Sequence, residues 1–128
     1  MTRQVFFPDP GRKPSGFSPA TRIRNAVFVS GQVPVDSSGN LVGDGDCRMQ
    51  AEQCFVNIES ALRSAGASMD DVTKITAFIV RPDDYPDYAS VRLSKFPENG
   101  PASSSVFISG LVDPKFLIEI EAIAIVEA

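Results

Sequence analysis

The sequence predicts one α+β domain over residues 1–128, with two helices covering a single face of a β-sheet. Three observations lead there. The chain has 128 residues, 43% hydrophobic and 22% charged, which is the size and balance of a domain able to bury a core unaided. Two segments repeat apolar residues at helical spacing. Around them lie short runs rich in β-branched side chains, separated by Gly, Pro, Asn and Asp, with no linker and no internal repeat.

Val5-Phe6-Phe7 is the first β-type run, closed by Pro8 and an irregular segment reaching Ser15. Strand character resumes near Ala20. Arg22-Ile23 and Ala26 to Ser30 flank Arg24-Asn25, where an asparagine tolerant of positive φ suits a two-residue hairpin turn. Turn residues from Asp36 to Gly45 hand over to a helix capped by Asp44 or Asp46. Its stripe is Ala51, Cys54, Phe55, Ile58, Ala61, Leu62 and Ala65, and Gly66 stops it. Val72 to Val80 is β-branched and reads as a strand. Asp83 or Asp84 then opens a second helix, roughly Tyr85 to Lys95, with Tyr85, Tyr88, Val91 and Phe96 as a thin stripe and Pro86 in the first turn. Ser104 to Ser109 and Phe116 to Val126 are two more strands, joined near Asp113-Pro114. Helices this short leave the far face of the sheet to solvent or to another chain.

A net charge of −4 and a pI near 4.7 argue against nucleic acid or an anionic membrane as the main partner. No apolar run approaches the roughly 20 residues of a membrane span, and the first residues lack the apolar core of a signal peptide, so a cytoplasmic location is expected. The chain has no histidine, which removes the usual imidazole base, most zinc sites and the serine–histidine dyad. Cys47 and Cys54 lie seven residues apart on one helix, about 10 Å along its axis, too far to pair, and read as reduced thiols. No phosphate loop or metal-ligand cluster is visible, so neither metal nor cofactor is implied. Glu119 and Glu121 share one face of an isoleucine-rich strand, a place where carboxylates serve either a site or an interface.

Four segments carry a resemblance: Val27-Phe-Val-Ser-Gly-Gln-Val-Pro34, Gln50-Ala-Glu-Gln-Cys-Phe-Val-Asn-Ile58, Ala65-Gly-Ala-Ser-Met-Asp-Asp-Val-Thr-Lys74 and Ile118-Glu-Ile-Glu-Ala-Ile-Ala124. Together, from about Gly16 to Ala124, the chain resembles the Rid family, also called YjgF. That resemblance implies a chorismate-mutase-like fold with a mixed sheet, a homotrimer, and a small-molecule cleft at each subunit interface. It also implies hydrolysis of reactive enamines and imines, such as 2-aminoacrylate, to a keto acid and ammonia.

Where deaminating members carry P-A-R-S-T/C-V, with an arginine that grips the substrate carboxylate, this chain has Pro101-Ala102-Ser103-Ser104-Ser105-Val106. Ser103 stands in the arginine's place and offers no charge, which counts against activity on 2-aminoacrylate. By the same resemblance the cleft tyrosine falls on Phe17, the strand serine and glycine on Ser30 and Gly31, and the helix asparagine on Arg92. The cleft cysteine falls on Ser105, and the carboxylate that positions the attacking water on Glu119. Read without the family, the three serines fit a polar strand face, Phe17 fits packing, Ser30 and Gly31 fit a backbone constraint, and Arg92 fits a solvent-facing helix position. If Arg92 faces the cleft, it supplies the missing charge from another wall. Three functions stand open: a deaminase on a non-standard substrate, a non-catalytic small-molecule binding trimer, and, with least support, an endoribonuclease.

Overall fold

The computed structural model describes residues 2–127, which form one six-stranded sheet with two α-helices. The strands are β1 (Gln4–Phe6), β2 (Ala20–Ile23), β3 (Ala26–Gln32), β4 (Val72–Ile79), β5 (Ala102–Phe107) and β6 (Ile118–Ile125). The helices are α1 (Cys47–Ser64) and α2 (Tyr85–Lys95). Strand order is β1-β2-β3-β6-β4-β5. Only β4 and β5 run parallel, joined through α2 as a parallel pair requires, and the other neighbours are antiparallel. The expected α+β architecture with a mixed sheet is present.

α1 packs over β6 and β3, and α2 packs beside α1. Its predicted stripe is buried throughout, against Val27 and Val29 of β3, Ile75, Ala77 and Ile79 of β4, and Ile118, Ile120, Ala122 and Ala124 of β6. Small residues on β6 let the helix approach closely. Asp46 is the cap, its carboxylate accepting from Met49 N–H at 3.1 Å, and Gly66 follows with φ of 80°. Buried Gln50 donates to Gly43 O and Lys115 O and accepts from Leu117 N–H at 2.7 Å. It thereby fixes the loop leading into β6.

Three expectations are corrected and one is refined. The residue with positive φ in the β2–β3 turn is Arg24, at 52°, not Asn25. Arg22 Nε donates to the Arg24 carbonyl at 2.7 Å, and Asn25 O accepts from Val126 N–H, so tertiary contacts set this turn. Asp84 opens α2 as expected, standing at its N-cap after a 3₁₀ turn (Pro82–Asp84), although its carboxylate pairs with Arg81 at 2.7 Å and makes no capping bond. β5 begins at Ala102, two residues before the expected start, because the parallel register pairs Ala102 with Lys74 and Phe107 with Ile79. Finally, β1 and β6 are each displaced or trimmed at their ends relative to the apolar runs.

The face of the sheet away from the helices carries Phe28, Lys74, Thr76, Phe78, Ser104, Val106, Glu119, Glu121, Ile123 and Ile125, as strand alternation and register dictate. Phe28, Val106 and Ile125 are 46%, 42% and 43% exposed. This uncovered apolar face is what the helix lengths predict.

Candidate functional site

Two groups of side chains flank the sheet, one on each face. On the open face, a register shift between Val29 and Gln32 holds Ser30 and Gly31. Glu119 lies directly over Gly31: a Cβ built there would stand 2.4 Å from Glu119 Oε2 and 2.7 Å from its Cδ. Any side chain at position 31 would therefore push the Glu119 carboxylate aside, and the φ of Gly31 is not in the left-handed region. Burial, and secondarily the neighbouring Glu121, raise the Glu119 carboxyl above the usual carboxylate range. Ser30 Oγ donates to Ser18 O at 2.6 Å, and Ser30 N–H donates to Pro19 O. The serine thus ties down the loop that presents Phe17, which is 59% exposed.

The second group lies on the helix-covered side, at the sheet edge. In the β4–β5 register Ser103 pairs with buried Ile75 and Ser105 with buried Ala77, so both face the helices, while Ser104 pairs with Thr76 on the open face. Lys74 Nζ donates to Ser104 Oγ at 3.0 Å there. Strand alternation therefore splits the three serines between the two sides.

Arg92 of α2 reaches this edge. Its Nη1 donates to Ser103 Oγ at 3.4 Å and its Nη2 to Tyr85 Oη at 3.2 Å. The guanidinium carbon sits 5.8 Å from the Tyr85 ring centroid and 5.2 Å from that of Tyr88, within the range of cation–π attraction. Among the described residues, no carboxylate pairs with it. Its hydrogen bond to Tyr85, foremost, raises its pKa further, so it is a permanent cation. The site residues read from the sequence thus fall into Gly31 with Glu119, near the Phe17 loop held by Ser30, and Arg92 with Ser103 and Ser105. The sheet separates the two groups within one chain.

Tyr85 and Tyr88 were missed as site residues because both fit a packing stripe. Their signal was the spacing Tyr85, Tyr88, Arg92, which places all three on one helix face. The cysteines offer no second site: burial pushes Cys47 up to about 12 and Cys54 higher still, so both are inert thiols. Among the described residues, no cluster could hold a metal ion, and no helix is long and apolar enough to cross a membrane.

The sequence profile of the endoribonuclease L-PSP family matches residues 12–126. The chain belongs to this family, also known as Rid or YjgF. It is 37% identical over 126 residues to a RutC family protein of Pyrococcus abyssi, covering 97% of this chain and 98% of the relative. It is 36% identical over 125 residues to the 3-aminoacrylate deaminase RutC of Acinetobacter baylyi, with 97% and 98% covered. A crystal structure from Thermotoga maritima superposes with a TM-score of 0.86 at 32% identity, covering 98% of both chains.

Proposed function

We propose that this Rid-family protein is a hydrolytic deaminase of small enamines or imines bearing a carboxylate, with each cleft shared between two chains of a homotrimer. The observation that carries this reading is the Arg92 guanidinium resting on Ser103, the strand position on which the family resemblance would put an arginine. A planar cation with no carboxylate partner among the described residues of its own chain suits a carboxylate ligand.

The two half-sites lie on opposite faces of one sheet, so one small ligand can meet both only if a second chain supplies the other half. Such an interface joins two different surfaces, and repeating it closes a ring. The family resemblance points to three chains, about 41 kDa from three of 13.8 kDa. The exposed apolar face carrying Phe28, Val106 and Ile125 supplies area for burial between chains.

In this cleft Arg92 holds the carboxylate and Glu119 orients water. Water adds to the imine carbon and forms a C–O bond while Glu119 accepts its proton. That proton passes to nitrogen to give a carbinolamine; the proton of its hydroxyl then moves through Glu119 to the same nitrogen, the C–N bond breaks, ammonia leaves, and the C–O bond becomes the keto carbonyl. A carboxyl raised by burial is a stronger proton acceptor than an exposed one, which suits it to take and return that proton. Because the clamp comes from a helix instead of the strand, the carboxylate sits differently, and turnover of 2-aminoacrylate is expected at background. A non-catalytic binding trimer is the second reading, favoured by Phe17, which lacks a cleft hydroxyl.

Calorimetric titration with pyruvate, a keto-acid product analogue, tests the clamp. Arg92→Ala should weaken binding by roughly 1.5–3 kcal/mol, the worth of a charge-assisted hydrogen bond. Unchanged affinity, or no binding by the parent, would refute it. Pyruvate binding without ammonia release from 2-iminobutanoate or related imines would favour the non-catalytic reading.

A further inference from the structure

The last turn of α2 carries two cations, Arg92 and Lys95. Lys95 pairs with Glu52 at 2.9 Å, whereas among the described residues Arg92 is held by neutral groups alone: the Tyr85 and Ser103 hydroxyls and the faces of two tyrosine rings. A carboxylate in their place would cancel the charge. Hydroxyls and rings fix the guanidinium and leave its charge open to a ligand.

The two hydroxyl bonds differ. Nη1 reaches Ser103 Oγ at 3.4 Å, longer than an ordinary N–H···O bond and on the exposed side, while Nη2 reaches Tyr85 Oη at 3.2 Å in a part-buried setting. The Ser103 bond is therefore the one that an incoming anion displaces, and the Tyr85 bond the one that stays.

In the bond that stays, the phenol oxygen is the acceptor, so Tyr85 still has its own hydrogen to donate. Among the described residues its Oη makes no other hydrogen bond, and the side chain is half-buried, so that hydrogen is open to a ligand. An O–H whose oxygen accepts from a cation is polarised into a stronger donor. Nη1 and Nη2 are neighbouring amino groups of one planar fork, so a carboxylate that takes Nη1 has the phenol held on Nη2 beside it.

We propose that Tyr85 is a second substrate-binding residue of this half-site, its O–H donating to one oxygen of the ligand's carboxylate while Arg92 Nη1 holds the other. The phenol takes the place of one prong of the arginine fork and is itself held by Nη2. This rests on the carboxylate reading above and adds to it a donor that touches the ligand.

Calorimetric titration with pyruvate tests it on the parent, Tyr85→Phe, Arg92→Lys and the double variant, with a thermal melt of each. Tyr85→Phe removes one oxygen and keeps the ring against the guanidinium. Tm should stay at the parental value while pyruvate weakens about tenfold, as loss of one hydrogen bond to a charged group implies. Arg92→Lys keeps the charge but abolishes the fork that the phenol steers. On that background Tyr85→Phe should still weaken pyruvate about tenfold, because its O–H meets the ligand directly. No further loss there would show that Tyr85 acts only by steering Arg92, and would overturn the proposal. Parental affinity in Tyr85→Phe, or a loss of affinity accompanied by a fall in Tm, would overturn it too. If Arg92→Ala weakens pyruvate while Tyr85→Phe does not, this inference alone fails; a parent that does not bind pyruvate overturns the carboxylate reading with it.

Discussion

Gly31→Ala is the smallest change that should separate site chemistry from stability. The new methyl would stand 2.4 Å from Glu119 Oε2, 2.7 Å from Cδ and 3.0 Å from Cγ. Ordinary contact begins near 3.4 Å, so Oε2 must retreat by about 1 Å (3.4 − 2.4 Å). Glu119 is a half-buried side chain on the open face, and it can turn to an adjacent rotamer at roughly 0.5–1.5 kcal/mol. Stability should therefore fall by only a few degrees in Tm. A displacement of 1 Å in a positioned catalytic group, however, can reduce turnover about 10²-fold. The assay is ammonia release from small imino acids generated in situ, run beside a thermal melt. Gly31→Ala with parental turnover would refute the placement of Glu119 as the water-orienting carboxylate. A collapse in Tm would refute the account of a yielding side chain.

Three further outcomes are expected. Phe28→Glu or Ile125→Asp, placing charge on the exposed apolar face, should shift the light-scattering mass from about 41 kDa towards the 13.8 kDa of one chain; a parent that is already monomeric at micromolar concentration would contradict the trimer. Both thiols should resist alkylation in the native protein at pH 8 and react on denaturation, since burial raises Cys47 and Cys54; rapid native labelling would show that α1 opens. Glu119 is raised in the folded state, so the fold favours its protonated form and loses that advantage as pH climbs from 4.5 through the raised value. The Tm of Glu119→Gln should thus gain on that of the parent over this window, and parallel profiles would show that burial does not strain the carboxylate.

Much of the fold was legible because its strongest elements are local. The stripe from Ala51 to Ala65 specifies α1 by itself, and Pro86 with Tyr88 and Val91 sufficed for the bounds of α2. Features set by pairing were not legible. The start of β5 depends on its parallel register with β4, and the φ of Arg24 depends on contacts with Arg22 and Val126 around the turn. The same limit governs the site. Ser103, Ser104 and Ser105 form one polar run in sequence, and only the register with Ile75, Thr76 and Ala77 assigns them to opposite faces. Gly31 and Glu119 are 88 residues apart (119 − 31), and their contact follows from the bulge in β3 beside β6. Tyr85 looked like packing because its ring does pack; the bond its hydroxyl accepts from Arg92 has no signature in a string of letters.

The central claim is that Glu119 of one chain and Arg92 of another complete each cleft, and subunit mixing tests it most directly. Glu119→Gln and Arg92→Ala should each be inactive in ammonia release as pure proteins. Unfolded together in equal amounts and refolded, they should recover about one quarter of parental activity, since about one cleft in four then pairs an intact Glu119 with an intact Arg92 from a neighbouring chain. Activity that stays at the level of the separate variants would contradict a shared cleft.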